Sequence, residues 1–70
     1  MENEWIKIYT TDKDYKALII QEKLAENGIE SNQISKKGSE IELFIAEIEI
    51  YVLEKDVEKA KEVVNQHSEL

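Results

Sequence analysis

The densest set of reactive side chains in this chain is four carboxylates, Glu40, Glu42, Glu47 and Glu49, spaced as two i, i+2 pairs. In an extended strand that spacing puts both members of a pair on one face. Carboxylate oxygens on a common face suit Ca²⁺ or Mg²⁺. No Ca²⁺-loop spacing accompanies them, however, and strand faces turned to water are commonly rich in Glu. The set therefore reads as a solvated face, with no metal and no cofactor expected. His67 is the one imidazole. A general base needs a pocket and an orienting partner. A histidine at the end of a terminal helix is placed instead to act as a cation on the helix dipole. Ser31, Ser35, Ser39 and Ser68 have no second histidine to activate them and no nucleophile elbow around them. Cysteine is absent, which excludes disulfides and thiolate metal sites. No catalytic residue is expected, and an enzyme is the least favoured class.

The aromatic residues carry more. In Trp5-Ile6-Lys7-Ile8-Tyr9-Thr10 the residue types favour a strand, with Ile6 and Ile8 on one face and Trp5, Lys7 and Tyr9 on the other. In Glu47–Leu53, Ile48, Ile50 and Val52 point one way and Glu47, Glu49 and Tyr51 the other. If the isoleucines face a helical layer, Trp5, Tyr9 and Tyr51 line the uncovered side of a sheet. An apolar patch there is an interface or a ligand platform.

The elements that position these rings follow from the apolar rhythm. Strand-like alternation over Trp5–Thr10 gives way to helical recurrence over Asp12–Asn27. A polar-leaning strand is expected over Ile29–Ser35, a further strand over Glu47–Leu53, and a helix over Val57–Gln66. Lys36–Ser39 is a turn signal, and Glu40–Ala46 either extends the hairpin or forms a loop anchored by Leu43 and Phe44. Thr11 is the expected N-cap of the first helix, with Asp14 three residues on. Gly28 supplies the left-handed residue that closes it. Ala17, Ile20 and Leu24 form its core stripe, while Tyr15, Leu18 and Ala25 lie on a second side, with Ile19 between. In the second helix the stripe is Val57, Ala60 and Val64. The order β-α-β-β-α, with a right-handed crossover and a tight hairpin, predicts an α+β, ferredoxin-like fold lacking its last strand. Its three-stranded antiparallel sheet has order 1-3-2, with both helices on one face. Strand one is then an open edge.

The pattern resembles that of a known family. Its residues are the strand closing on Tyr9-Thr10, Ala17-x-x-Ile20-x-x-x-Leu24-x-x-x-Gly28-Ile29, Glu47-Ile48-Glu49-Ile50-Tyr51-Val52, the acidic Glu54-Lys55-Asp56, and Ala60-x-x-x-Val64. Over residues 5–66 the chain resembles the small prokaryotic family described as a putative signal transducing protein, a domain of unknown function. The resemblance implies a ferredoxin-like or PII-like shape and a signalling role. It brings no catalytic residues.

Size and charge set the remaining expectations. Seventy residues make one domain, residues 1–70, with an ordered core over about 5–66. A chain of this length hides only about 60% of the surface its unfolded form exposes. Small domains of that kind compensate by association when disulfides and metals are excluded. Sixteen acids against nine lysines give a net charge of −7, with no arginine. That balance disfavours nucleic acid and anionic membrane surfaces as partners. Met1–Glu4 lacks a basic signal-peptide start, and no apolar run is longer than the four residues of Ala17–Ile20, so a cytoplasmic protein is expected. The chain is thus expected to be a non-enzymatic interaction or regulatory module. It would form a homodimer through the sheet face or the strand-one edge, with Trp5, Tyr9 and Tyr51 on the sheet and Tyr15 and Leu18 on the helix as interface residues. Another protein is a further possible partner. The rival class is a sensor that binds a small metabolite or nucleotide on the open sheet face or between protomers.

Overall fold

The structure is a computed structural model, and it describes residues 4–37 and 46–67. The chain runs β1 (Trp5–Thr11), α1 (Asp14–Glu26), β2 (Ser31–Lys37), β3 (Ala46–Leu53), a 3₁₀ turn (Glu54–Asp56) and α2 (Val57–His67). The three strands form one antiparallel sheet with order β1-β3-β2. This is the α+β, ferredoxin-like β-α-β-β-α arrangement. Lys36 and Lys37, expected to begin a turn, instead end β2, because both pair in register with β3. The rest of that turn and residues 40–45, with Ser39, Glu40 and Glu42, lie outside the described residues, as does Ser68.

The core lies between the sheet and the helices. Ile48, Ile50 and Val52 of β3 meet Ala17, Ile20 and Leu24 of α1 and Ala60, Val63 and Val64 of α2, with Ile29 sealing one end. Such a cluster contributes roughly 1.5–3 kcal/mol per fully buried aliphatic side chain before conformational entropy is set against it. The α1 stripe is the one its spacing predicts. In α2, Val63 joins the stripe, and Val57 packs against its margin rather than inside it.

The ends of α1 show how local chemistry sets the layout. At its C-terminus the Gly28 N–H donates to the Ala25 carbonyl and the Ile29 N–H to the Leu24 carbonyl, both at 2.9 Å. This is the Schellman pattern, with Gly28 at φ 76° as the left-handed residue. It turns the chain so that Ile29 enters the core beside Leu24, and β2 starts at Ser31 rather than at Ile29. At the N-terminus the expected cap is corrected. The N-cap position is Lys13, with extended backbone and no side-chain cap. The Thr11 hydroxyl instead accepts the Lys13 N–H at 3.1 Å, so Thr11 shapes the turn into the helix without closing its first turn.

Candidate functional site

The candidate site is the face of the sheet turned away from the helices, termed the far face below. Direct partners in an antiparallel ladder share a face, so register assigns its members. Trp5 lies opposite Leu53, Lys7 opposite Tyr51, and Thr10 opposite Glu49 on the β1 side. On the β2 side Asn32 lies opposite Tyr51 and Ile34 opposite Glu49. Two of these side chains are large, apolar and exposed: Trp5 at 39% and Ile34 at 46%. Tyr51 is half-buried between them. Trp5 and Tyr51 are diagonal neighbours on adjacent strands, and the far face carries this apolar strip from β1 across β3 to β2.

Tyr9 does not join them. The β1–β3 register shifts between Lys7 and Tyr9, so that Tyr9 lies opposite Ile50. A bulge inserts one extra residue and reverses the alternation beyond it. Ile8 and Tyr9 both pack against the core cluster, on the helix side of the sheet. The expectation that Trp5, Tyr9 and Tyr51 cluster on one face is corrected accordingly: two rings share the far face and the third is turned under α1 and α2. Tyr15 and Leu18 are 56% and 57% exposed on the outer side of α1, opposite its core stripe and away from the far face.

The carboxylates also need correction. Glu47 is exposed, as a solvated strand face requires, but Glu49 is only 3% exposed. Its Oε1 accepts a hydrogen bond from the Tyr51 hydroxyl at 2.8 Å, and its Oε2 lies 3.5 Å from the Lys7 ammonium. A buried charge is tolerable when it is paired and hydrogen-bonded. The Lys7 end of the pair is half exposed, which limits its Coulombic value. Chemically the arrangement positions rather than reacts. The carboxylate holds the Tyr51 hydroxyl and so orients that ring on the far face, which Trp5 shares.

Two features escaped the sequence reading. Ile34 is the single aliphatic residue of a polar strand, and its place in Ser31-Asn32-Gln33-Ile34-Ser35 was the available signal. The Lys7–Glu49 pair spans forty-two positions and follows only from the register. His67 closes α2 and is half-buried. Among the described residues there is no group of histidines and acids placed to hold a metal ion, and no cavity. No helix among them is long and apolar enough to cross a membrane.

Neither the curated proteins nor the solved structures give a match to the chain. A family model does, over residues 5–67, which takes in every element from β1 to α2. The chain belongs to the family described as putative prokaryotic signal transducing protein.

Proposed function

We propose that this chain is a non-enzymatic interaction module of a prokaryotic signalling pathway, cytoplasmic and homodimeric, that engages a partner protein through the far face of its sheet. One observation carries the reading: Trp5 and Ile34 stand exposed at either end of an apolar strip, with Tyr51 between them, on the side opposite the helices. Trp and Tyr are the residues that most often dominate protein interfaces, because each buries a large rigid surface at low entropic cost. The hydrogen bond from Tyr51 to Glu49 fixes its ring before any partner arrives, which lowers the ordering cost of binding. The family description supports a signalling role. The small size of the domain supports self-association.

The test has two parts. Sedimentation velocity over a range of concentrations should show a dimer, and a parent that stays monomeric at the highest concentration removes the homodimer. Capture experiments should compare the parent with a Trp5→Glu/Tyr51→Glu variant as bait in lysate of the producing cell. Proteins held by the parent and lost by the variant support the far face; identical captured sets overturn it. A metabolite or nucleotide that raises the melting temperature by mass action would move the chain to the sensor class instead.

A further inference from the structure

The inner strand of the sheet is β3, so among the described residues β1 and β2 each present one backbone edge that no strand pairs. An unpaired edge is a template for another strand. The two edges are not equivalent. β1 is broken by the bulge between Lys7 and Tyr9, a feature that bends a strand and protects an edge from pairing. β2 runs in unbroken register from Ser31 to Lys37, and Asn32, Gln33, Ile34 and Ser35 are all exposed.

The ends of β2 carry opposite charge in sequence. Glu30 directly precedes it, and positions 36 and 37 are both lysine. A second β2 laid parallel would set lysines beside lysines. Laid antiparallel, it sets the lysine end of each copy beside the Glu30 end of the other, twice over. Opposite charges across neighbouring strands are stabilising, and like charges destabilising. The strand is therefore complementary to itself in one direction only. In that direction Gln33 and Ser35, exposed on the helix side, meet side chains that can hydrogen-bond, and the exposed Ile34 gains apolar surface on the far face.

We propose that a second copy of this chain binds at the β2 edge, β2 against β2 and antiparallel, about a two-fold axis near Ile34. The joined sheet runs β1-β3-β2-β2-β3-β1. The pairing is isologous and closed, so it stops at two copies, and the outer edges are the bulged β1 strands. Both far faces lie on the same side of the joined sheet, and the apolar strips run into one another through Ile34. The inference rests on the homodimer of the proposed function and names the surface that forms it.

The experiment is amide hydrogen exchange at low and high protein concentration, at about 0.15 M salt to screen the −7 charge of each copy. It is read beside the sedimentation of three proteins: the parent, a Gln33→Glu/Ser35→Glu variant and the Trp5→Glu/Tyr51→Glu variant. Alternate β2 amides of the parent should gain protection with concentration while β1 amides do not. Either register allowed by the two-fold axis sets introduced carboxylates of Gln33→Glu/Ser35→Glu against each other across the junction. That variant should dimerise about tenfold more weakly, and Trp5→Glu/Tyr51→Glu should dimerise like the parent. Concentration-dependent protection of β1, or a dimer lost in Trp5→Glu/Tyr51→Glu and kept in Gln33→Glu/Ser35→Glu, overturns the β2 edge and leaves the homodimer standing. A monomeric parent removes the homodimer itself. Hydrogen exchange on the parent decides between the edges even if a variant fails to fold.

Discussion

The two faces of β3 bury side chains by different chemistry. On the helix side Ile48, Ile50 and Val52 are closed off by aliphatic side chains of α1 and α2. On the far side Glu49 is nearly as inaccessible, but its neighbours by register are Thr10 and Ile34, and its carboxylate is held by Tyr51 and Lys7. The helix face is stabilised by area removed from water, which is non-directional. The far face has a directional network, which fixes the orientation of one ring. Period-two alternation thus assigns a residue to a face without stating its environment. The difference also implies that the faces fail differently when cut.

The largest effect is expected on the helix face. Ile50→Ala and Leu24→Ala each remove a fully buried aliphatic side chain, and each should cost on the order of 2–5 kcal/mol. That approaches the whole stability of so small a domain. Both variants should be largely unfolded at 37 °C by circular dichroism. Variants that melt like the parent would break the core assignment.

A smaller cost is expected on the far face. Glu49→Ala leaves the Tyr51 hydroxyl without its 2.8 Å acceptor, a loss of about 1–3 kcal/mol. Glu49→Gln keeps an acceptor and gives up only the charge opposite Lys7, so it should cost less than Glu49→Ala in urea titrations. If Glu49→Gln is as damaging as Glu49→Ala, the charge rather than the hydrogen bond holds the network, and the contrast between the faces narrows.

The helix face was readable from the sequence and the far face only partly. Ile48, Ile50 and Val52 follow from alternation, Ala17, Ile20 and Leu24 from helical spacing, and Gly28 from its place after the last apolar residue of α1. All of these are local periodicities. The bulge is not local. Trp5–Thr10 alternates without fault along its own chain, and only the partner strand reveals that Lys7 faces Tyr51 while Tyr9 faces Ile50. The burial of Glu49 is hidden for the same reason, since it depends on groups from three strands. Thr11 has the right residue type for a cap, but the helix starts two residues later than that reading required, with Lys13 as N-cap.

An intermediate effect tests what keeps the helix face covered. Gly28 sits at φ +76° with nothing within 4 Å of where a Cβ would stand. Gly28→Ala therefore meets backbone strain and no clash, and should cost about 1–2 kcal/mol. A larger loss in a thermal melt would mean that the turn moves and withdraws Ile29 from the core.

The smallest effect is expected on the outer side of α1, which belongs to neither face of the sheet. Tyr15 and Leu18 are both more than half exposed, and the stripe that binds α1 to the core runs along its opposite side. Tyr15→Ser and Leu18→Ser should each change the stability of the monomer by no more than about 0.5 kcal/mol, as surface substitutions away from caps and networks do. Serine lowers helix propensity only slightly, which sets the floor of the measurement. The informative readout is association. With the contact on the sheet, the double variant Tyr15→Ser/Leu18→Ser should sediment as the parent does at every concentration. A variant that folds normally but loses the dimer would place the contact on α1. Its exposed apolar pair would then be the dimer interface in place of the β2 edge, and the far-face strip would keep the partner protein.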